Sequence, residues 1–85
     1  MESVKRERSV YVLYDWQQKM FLVGSEGRTG YVTRSINRCR EFVRVEQAID
    51  YGNFELVQEW RDDDDAVVQR PTFLARQVTI THEML

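Results

Sequence analysis

Two runs of residues, "SVYVLYD" from Ser9 to Asp15 and "KMFLVG" from Lys19 to Gly24, lie only Trp16–Gln18 apart. Both are rich in β-branched and aromatic residues, so both favour extended backbone. Strand side chains alternate between faces, which sets Val10, Val12 and Tyr14 on one side and Tyr11 and Leu13 on the other. In the second run Met20 and Leu22 oppose Phe21 and Val23, so each run is apolar on both faces. The short connection makes them a hairpin, although it lacks an Asn-Gly or Asp-Gly turn signature. A hairpin of this kind needs a covering layer on each side. That requirement shapes everything after it.

The remaining chain supplies one such layer. "GSEGRTG" reads as a flexible loop, "YVTRS" as a short third strand, and "INRCREFVRV" as a turn followed by a brief strand. From Val45 to Trp60, the residues Val45, Ala48, Ile49, Gly52, Leu56 and Trp60 fall within an arc of about 120° at helical spacing, which predicts a helix over 45–60. Glu46 and Asp50 suit a helix start. Gly52 within the helix costs roughly 1 kcal/mol against alanine and marks either close approach to the sheet or a break at "YGNF". The tail returns to β character: Val78 and Ile80 alternate with Thr79 and Thr81, and Pro71 must sit at a turn, bulge or edge. The order ββ(β)αββ predicts an α+β fold, a mostly antiparallel sheet of three to five strands with one helix packed across it.

Eighty-five residues suit one small domain over 1–85, and 42% hydrophobic residues suffice for a core. No apolar run approaches the roughly 20 residues that cross a bilayer, and "MESVKRERSV" lacks the apolar segment of a secretory signal. Cys39 is the single cysteine, which excludes an internal disulfide and fits a reducing compartment. A cytoplasmic protein with no membrane partner is the expectation. The net charge of −2 conceals a split. Met1–Arg44 carries nine Lys/Arg and five Asp/Glu, or +4; Val45–Leu85 carries three Arg and nine Asp/Glu, or −6. Such halves either pair internally or present a basic and an acidic surface.

The succession "YVLYD…KMFLVG", "INRCREF", "VEQAIDY" and "VTITHE" resembles small uncharacterised proteins encoded by bacteriophages and prophages. In these an opening hairpin precedes an A-x-x-F segment, an E-x-A helix start and a final strand. Cys39 stands at the small position, Phe42 at the aromatic, and Glu46 and Ala48 at the helix start. The chain departs at "DWQQ", where a glycine-containing bend is usual. The resemblance brings no catalytic residues. It implies a protein that acts by binding a host or phage macromolecule.

Catalytic chemistry finds little footing. His82 is the single histidine, and "HEML" begins like the zinc motif H-E-x-x-H but ends before the second histidine. A Cys39–His82 pair has no sequence signature. Gly24, Gly27 and Gly30 match neither the dinucleotide fingerprint nor the P-loop. The expectation is no enzyme, no cofactor and no metal. Arg28, Arg34, Arg38, Arg40 and Arg44 form the one basic cluster. Arginine suits bidentate phosphate contact, so a nucleic-acid-binding surface is one reading and pairing with the acidic half the other. Asp62, Asp63, Asp64 and Asp65 lack the alternate spacing and glycine of a calcium loop. They form a solvated turn, or an acidic knob that docks on a basic partner or mimics DNA phosphates.

Apolar surplus is the remaining anomaly. On a helix over 45–60, Tyr51, Phe54 and Val57 point away from the stripe, and one helix cannot cover both sheet faces. Those three residues, with Tyr11 and Phe21 from the sheet's second face, form the expected contact patch for a homodimer or foreign protein. The sequence thus points to a non-enzymatic protein–protein interaction module, with nucleic-acid binding as the alternative.

Overall fold

The computed structural model describes residues 4–84. Seven elements follow in order: β1 (Val4–Asp15), β2 (Met20–Glu26), β3 (Thr29–Thr33), α1 (Val45–Tyr51), β4 (Glu59–Arg61), β5 (Val67–Val68) and β6 (Leu74–Met84). All six strands join one sheet in the order β5-β4-β3-β2-β1-β6. Every pairing is antiparallel except β3–β4, whose strands are joined through α1. The α+β class holds. The strand count and order do not, because the three-residue strand "EWR" begins where the pattern read as helix and makes three strands after α1 instead of two.

The opening hairpin forms as expected, and its turn is built by Asp15 in place of glycine. The Asp15 side chain is buried and accepts the Gln17 N–H at 3.0 Å and Gln18 Nε2 at 2.9 Å. Lys19 completes the turn at φ 57°. "GSEGRTG" is no loose loop: β2 runs to Glu26 and β3 starts at Thr29, leaving Gly27 and Arg28 as the bend. Gly27 stands at φ +59°, the left-handed value that glycine takes without strain in a two-residue hairpin.

β1 and β2 pair only at Tyr14–Phe21 and Asp15–Met20, then diverge. The segment Arg40–Phe42 fills the gap. Arg40 N–H donates to the Leu22 carbonyl at 2.9 Å, and Tyr11 and Phe42 exchange two backbone bonds of 2.8 Å each. This satisfies backbone groups that the splayed strands would otherwise leave unpaired. β6 pairs with β1 along its whole length, from Val4–Met84 to Tyr14–Leu74, without a bulge.

The helix is the main correction. It ends at Tyr51, with Gly52 donating to the Ala48 and Ile49 carbonyls. Gln47 Oε1 accepts the Arg44 N–H at 3.3 Å and closes its start. Ile49 and Leu56, expected inside, are 62% and 81% exposed. Ala48, Val57 and Trp60 are buried, and Tyr51 and Phe54 pack against them with Leu13, Met20, Leu22, Val32 and Phe42. The inward residues therefore recur every third position from Ala48 to Trp60. A straight helix would rotate such a series by about 60° per step and spread it around the axis. Only a chain that leaves the helix at Gly52 can bury all five.

Trp60 organises this core. Its indole lies on Gly30, where a methyl group would come within 2.7 Å of Cδ2 and closer still to Cε3 and Cζ3. Phe54 and Phe73 stand at steep angles to it, with ring centroids 5.1 and 5.5 Å away. Such tilted contacts set a ring edge against a ring face, the favourable electrostatic arrangement. Trp60 Nε1 is buried without an acceptor among the described residues.

Candidate functional site

The expected contact patch is turned largely into the core. Val57 is 4% exposed, and Tyr51 and Phe54 belong to the ring cluster that runs from Phe42 to Phe73. Tyr11 also packs against this core. Of the five residues, Phe21 alone faces away from it, stacked on Tyr14 at 4.7 Å. Phe54 and Val57 turn inward because the helix stops at Tyr51.

Arg70, to which the sequence reading gave no role, holds this region together. Nη1 donates to the Val57 carbonyl at 2.8 Å and Nη2 to the Phe54 carbonyl at 2.8 Å. Two carbonyls three residues apart, presented to one guanidinium, fix the non-helical bend. No local pattern marks Arg70 for this, since its partners lie far back in the chain.

The four aspartates form an ordered hairpin tip between β4 and β5. Asp62 N–H donates to the Ala66 carbonyl, Asp65 N–H to the Asp62 carbonyl, and Asp65 takes φ 61°. This is a turn closed by a left-handed residue, a position that aspartate tolerates. Asp62 Oδ1 accepts the N–H groups of Asp64 and Ala66 at 2.9 and 3.0 Å. The Ala66 N–H holds the Asp62 carboxyl below its ordinary range, against desolvation that opposes it and with smaller help from the Asp64 N–H and the Arg34 charge. Thr33 Oγ1 donates to Asp63 Oδ2 at 2.7 Å, and Arg61 Nη1 meets Asp65 at 3.3 Å. Backbone and side-chain bonds thus occupy three of the four carboxylates. Asp64 points no described bond outward. Among the described residues no three His, Cys, Asp or Glu side chains converge as a metal site.

Two of the five arginines have separate partners. Arg28, Arg34, Arg38, Arg40 and Arg44 are all exposed. Arg34 pairs with Asp62 at 3.5 Å, whereas Arg40 lies over the Tyr51 ring at 4.4 Å. Among the described residues only Arg34–Asp62 joins the basic and acidic halves as an ion pair; the others are Arg8–Glu41, Arg61–Glu59 and Arg61–Asp65. Cys39 Sγ donates to the Ile36 carbonyl at 3.1 Å, and burial, reinforced by Glu41, pushes its thiol above the ordinary value. A thiol held protonated is a poor nucleophile. The His82 side chain lies outside the described residues. No helix among the described residues is long and apolar enough to cross a membrane.

What remains is the β1/β6 ribbon and the groove at its base. Beyond Val10 the two strands pair only with each other, from Ser9–Thr79 to Val4–Met84. The molecule measures 53 Å along its longest axis and 28 and 23 Å across. On the face away from α1, Val10 and Val12 are buried and Val78 and Ile80 half-buried. With Ile36 they floor a groove of ≈ 390 Å³, rimmed by the Arg8–Glu41 pair. Compared with family models, with curated proteins and with solved structures, the chain finds no match.

Proposed function

We propose that this chain is a non-enzymatic interaction module that binds another macromolecule through the β1/β6 ribbon. The single observation that carries this reading is that, among the described residues, no third strand joins the ribbon beyond Val10. A two-stranded hairpin alone in water is marginal, because it buries too little to offset the loss of chain entropy. A partner's strand or surface supplies what the fold leaves out. The half-buried Val78 and Ile80 give such a partner an apolar strip beside a polar rim. The resemblance to phage and prophage proteins favours a partner among host or phage macromolecules, and the single free thiol suits a cytoplasmic setting.

The acidic hairpin tip serves as a secondary contact, in which Asp64 and its neighbours speed association with a basic surface. Affinity capture from a host lysate tests the main reading with wild type and Ile80→Glu. The introduced carboxylate stands across from Arg8 in the ribbon register, so pairing is retained while the apolar strip is broken. Partners are expected on wild type and absent from the variant. Equal capture by both, or none by wild type, would sink the reading. Nucleic acid is the competing occupant. A mobility shift that weakens steeply with salt and vanishes in Arg38→Glu/Arg40→Glu would replace it.

A further inference from the structure

We infer that the outer edge of β6 is a self-pairing site. Two copies of this chain join antiparallel through Gln77–Thr81 about a two-fold axis at Thr79, merging two six-stranded sheets into one. The inference deepens the ribbon reading by naming one partner for it, a second copy.

Backbone direction comes first. In an antiparallel ladder, the N–H and C=O of one residue point to the same side, and the side alternates along the strand. Tyr11 spends both groups on Phe42, away from β6. Its register partner Gln77 therefore turns its own N–H and C=O away from β1, and so do Ala75, Thr79 and Thr81. These groups form a regular row on the sheet's last strand, and no described backbone bond from outside the ribbon reaches them.

Edge strands usually carry a bulge, a proline or an inward charge that blocks such pairing. β6 has no bulge against β1, its one nearby proline is Pro71 before the strand, and Gln77–Thr81 is uncharged. Side chains then select the register. A two-fold axis normal to the sheet keeps each face on its own side, so the axis must pass through a residue position. At Thr79 it sets Thr79 opposite Thr79, Gln77 opposite Thr81, and Val78 opposite Ile80. Polar meets polar on one face and β-branched meets β-branched on the other, the pairings that stabilise sheets. Moving the axis to Val78 sets Arg76 against Ile80, and moving it to Ile80 sets Val78 against His82. The segment "QVTIT" is a palindrome of polarity centred on Thr79.

Three outward pairs at two bonds each give about six backbone hydrogen bonds across the axis. The apolar strips of the two copies also become continuous. Light scattering behind size-exclusion chromatography is expected to report twice the 10.2 kDa chain mass at tens of micromolar. Thr79→Pro removes an outward N–H that the β1 ladder does not use, so the variant is expected to keep its circular dichroism and run as a monomer. Thr79→Lys, which needs no backbone change, sets like charges face to face and is expected to weaken the dimer in a salt-dependent way. In a Cys39→Ser background, Thr79→Cys is expected to form an intermolecular disulfide on mild oxidation, since paired Cα atoms about 5.5 Å apart suit the bond. A wild-type monomer at high micromolar concentration overturns the two-fold pairing. So does a dimer that persists unchanged in both Thr79→Pro and Thr79→Lys. In either case, lysate capture that depends on Ile80 still leaves the ribbon as a contact surface for a foreign protein.

Discussion

The body of the sheet and the ribbon are built from the same kind of strand and end in opposite situations. Over β2, β3 and β4 one face is closed by the bend after α1 and the Phe54–Trp60–Phe73 rings, and α1 itself lies over the inner parts of β1 and β6. In the ribbon, β1 and β6 keep register over Val4–Ser9 and Thr79–Met84 with no third strand beside them among the described residues. Register alone does not make a stable element. Hydrogen bonds to a partner strand replace bonds to water and yield little net free energy, whereas removal of apolar area from water is the larger favourable contribution. The body is stable by burial, and the ribbon keeps its edge and face for something else.

The sharpest way to break this contrast is Trp60→Ala. Large core aromatics lose roughly 3–5 kcal/mol on truncation, because the cavity collapses only partly. Urea denaturation is expected to show a loss of that size, against less than about 1 kcal/mol for Ile80→Glu in the ribbon. Comparable losses for the two would mean that the ribbon is as integral as the core.

Gly30→Ala comes next. The added methyl overlaps the indole of Trp60, which is held by two other rings and cannot swing aside. Overpacking of this kind destabilises by about 1–3 kcal/mol, visible as a lower denaturation midpoint with the slope unchanged. Arg70→Ala is a smaller change, about 1–2 kcal/mol, since two carbonyls at a half-exposed bend regain water in part. Its distinctive readout is faster amide exchange at Val57 and Gln58 with β2 and β3 unaltered.

The smallest expected effect concerns the acid limb at the hairpin tip. Asp62 has a lowered pKa, chiefly through the Ala66 N–H. Its contribution is therefore present above the unfolded-state value and is lost as pH falls through the lower folded value. In an NMR titration the Ala66 and Asp64 amides of wild type are expected to shift together in that acidic window. Asp62→Asn is expected to abolish the joint shift while leaving ribbon amides unchanged. A joint shift that survives in Asp62→Asn would assign the titration to another carboxylate.

Local chemistry made part of the molecule legible. The alternation of Val10, Val12 and Tyr14 against Tyr11 and Leu13, the hairpin to Met20, and the helix start at Val45 all follow from neighbours in sequence. The bend after Tyr51 was hidden because Val45, Ala48, Ile49, Gly52, Leu56 and Trp60 satisfy a helical wheel as well as many true helices do. The competing signal, Ala48, Tyr51, Phe54, Val57 and Trp60 at every third residue, becomes meaningful only once the helix is known to stop. Misreading it turned core aromatics into an imagined surface.

By itself, then, the sequence determined the α+β class, the strand runs from Ser9 to Gly24 and around Val78–Thr81, and the acidic turn, since each rests on periodicity or residue chemistry over a few positions; the start of β1 at Val4 lay outside that pattern. The tertiary structure alone decided that Trp60 is a strand residue seated on Gly30, that Arg70 clamps the bend, and that β6 crosses to the far edge beside β1. Those outcomes depend on contacts between residues far apart in the chain. Their energies come from fitting volumes and pairing buried polar groups in three dimensions, and no window along the sequence contains both partners.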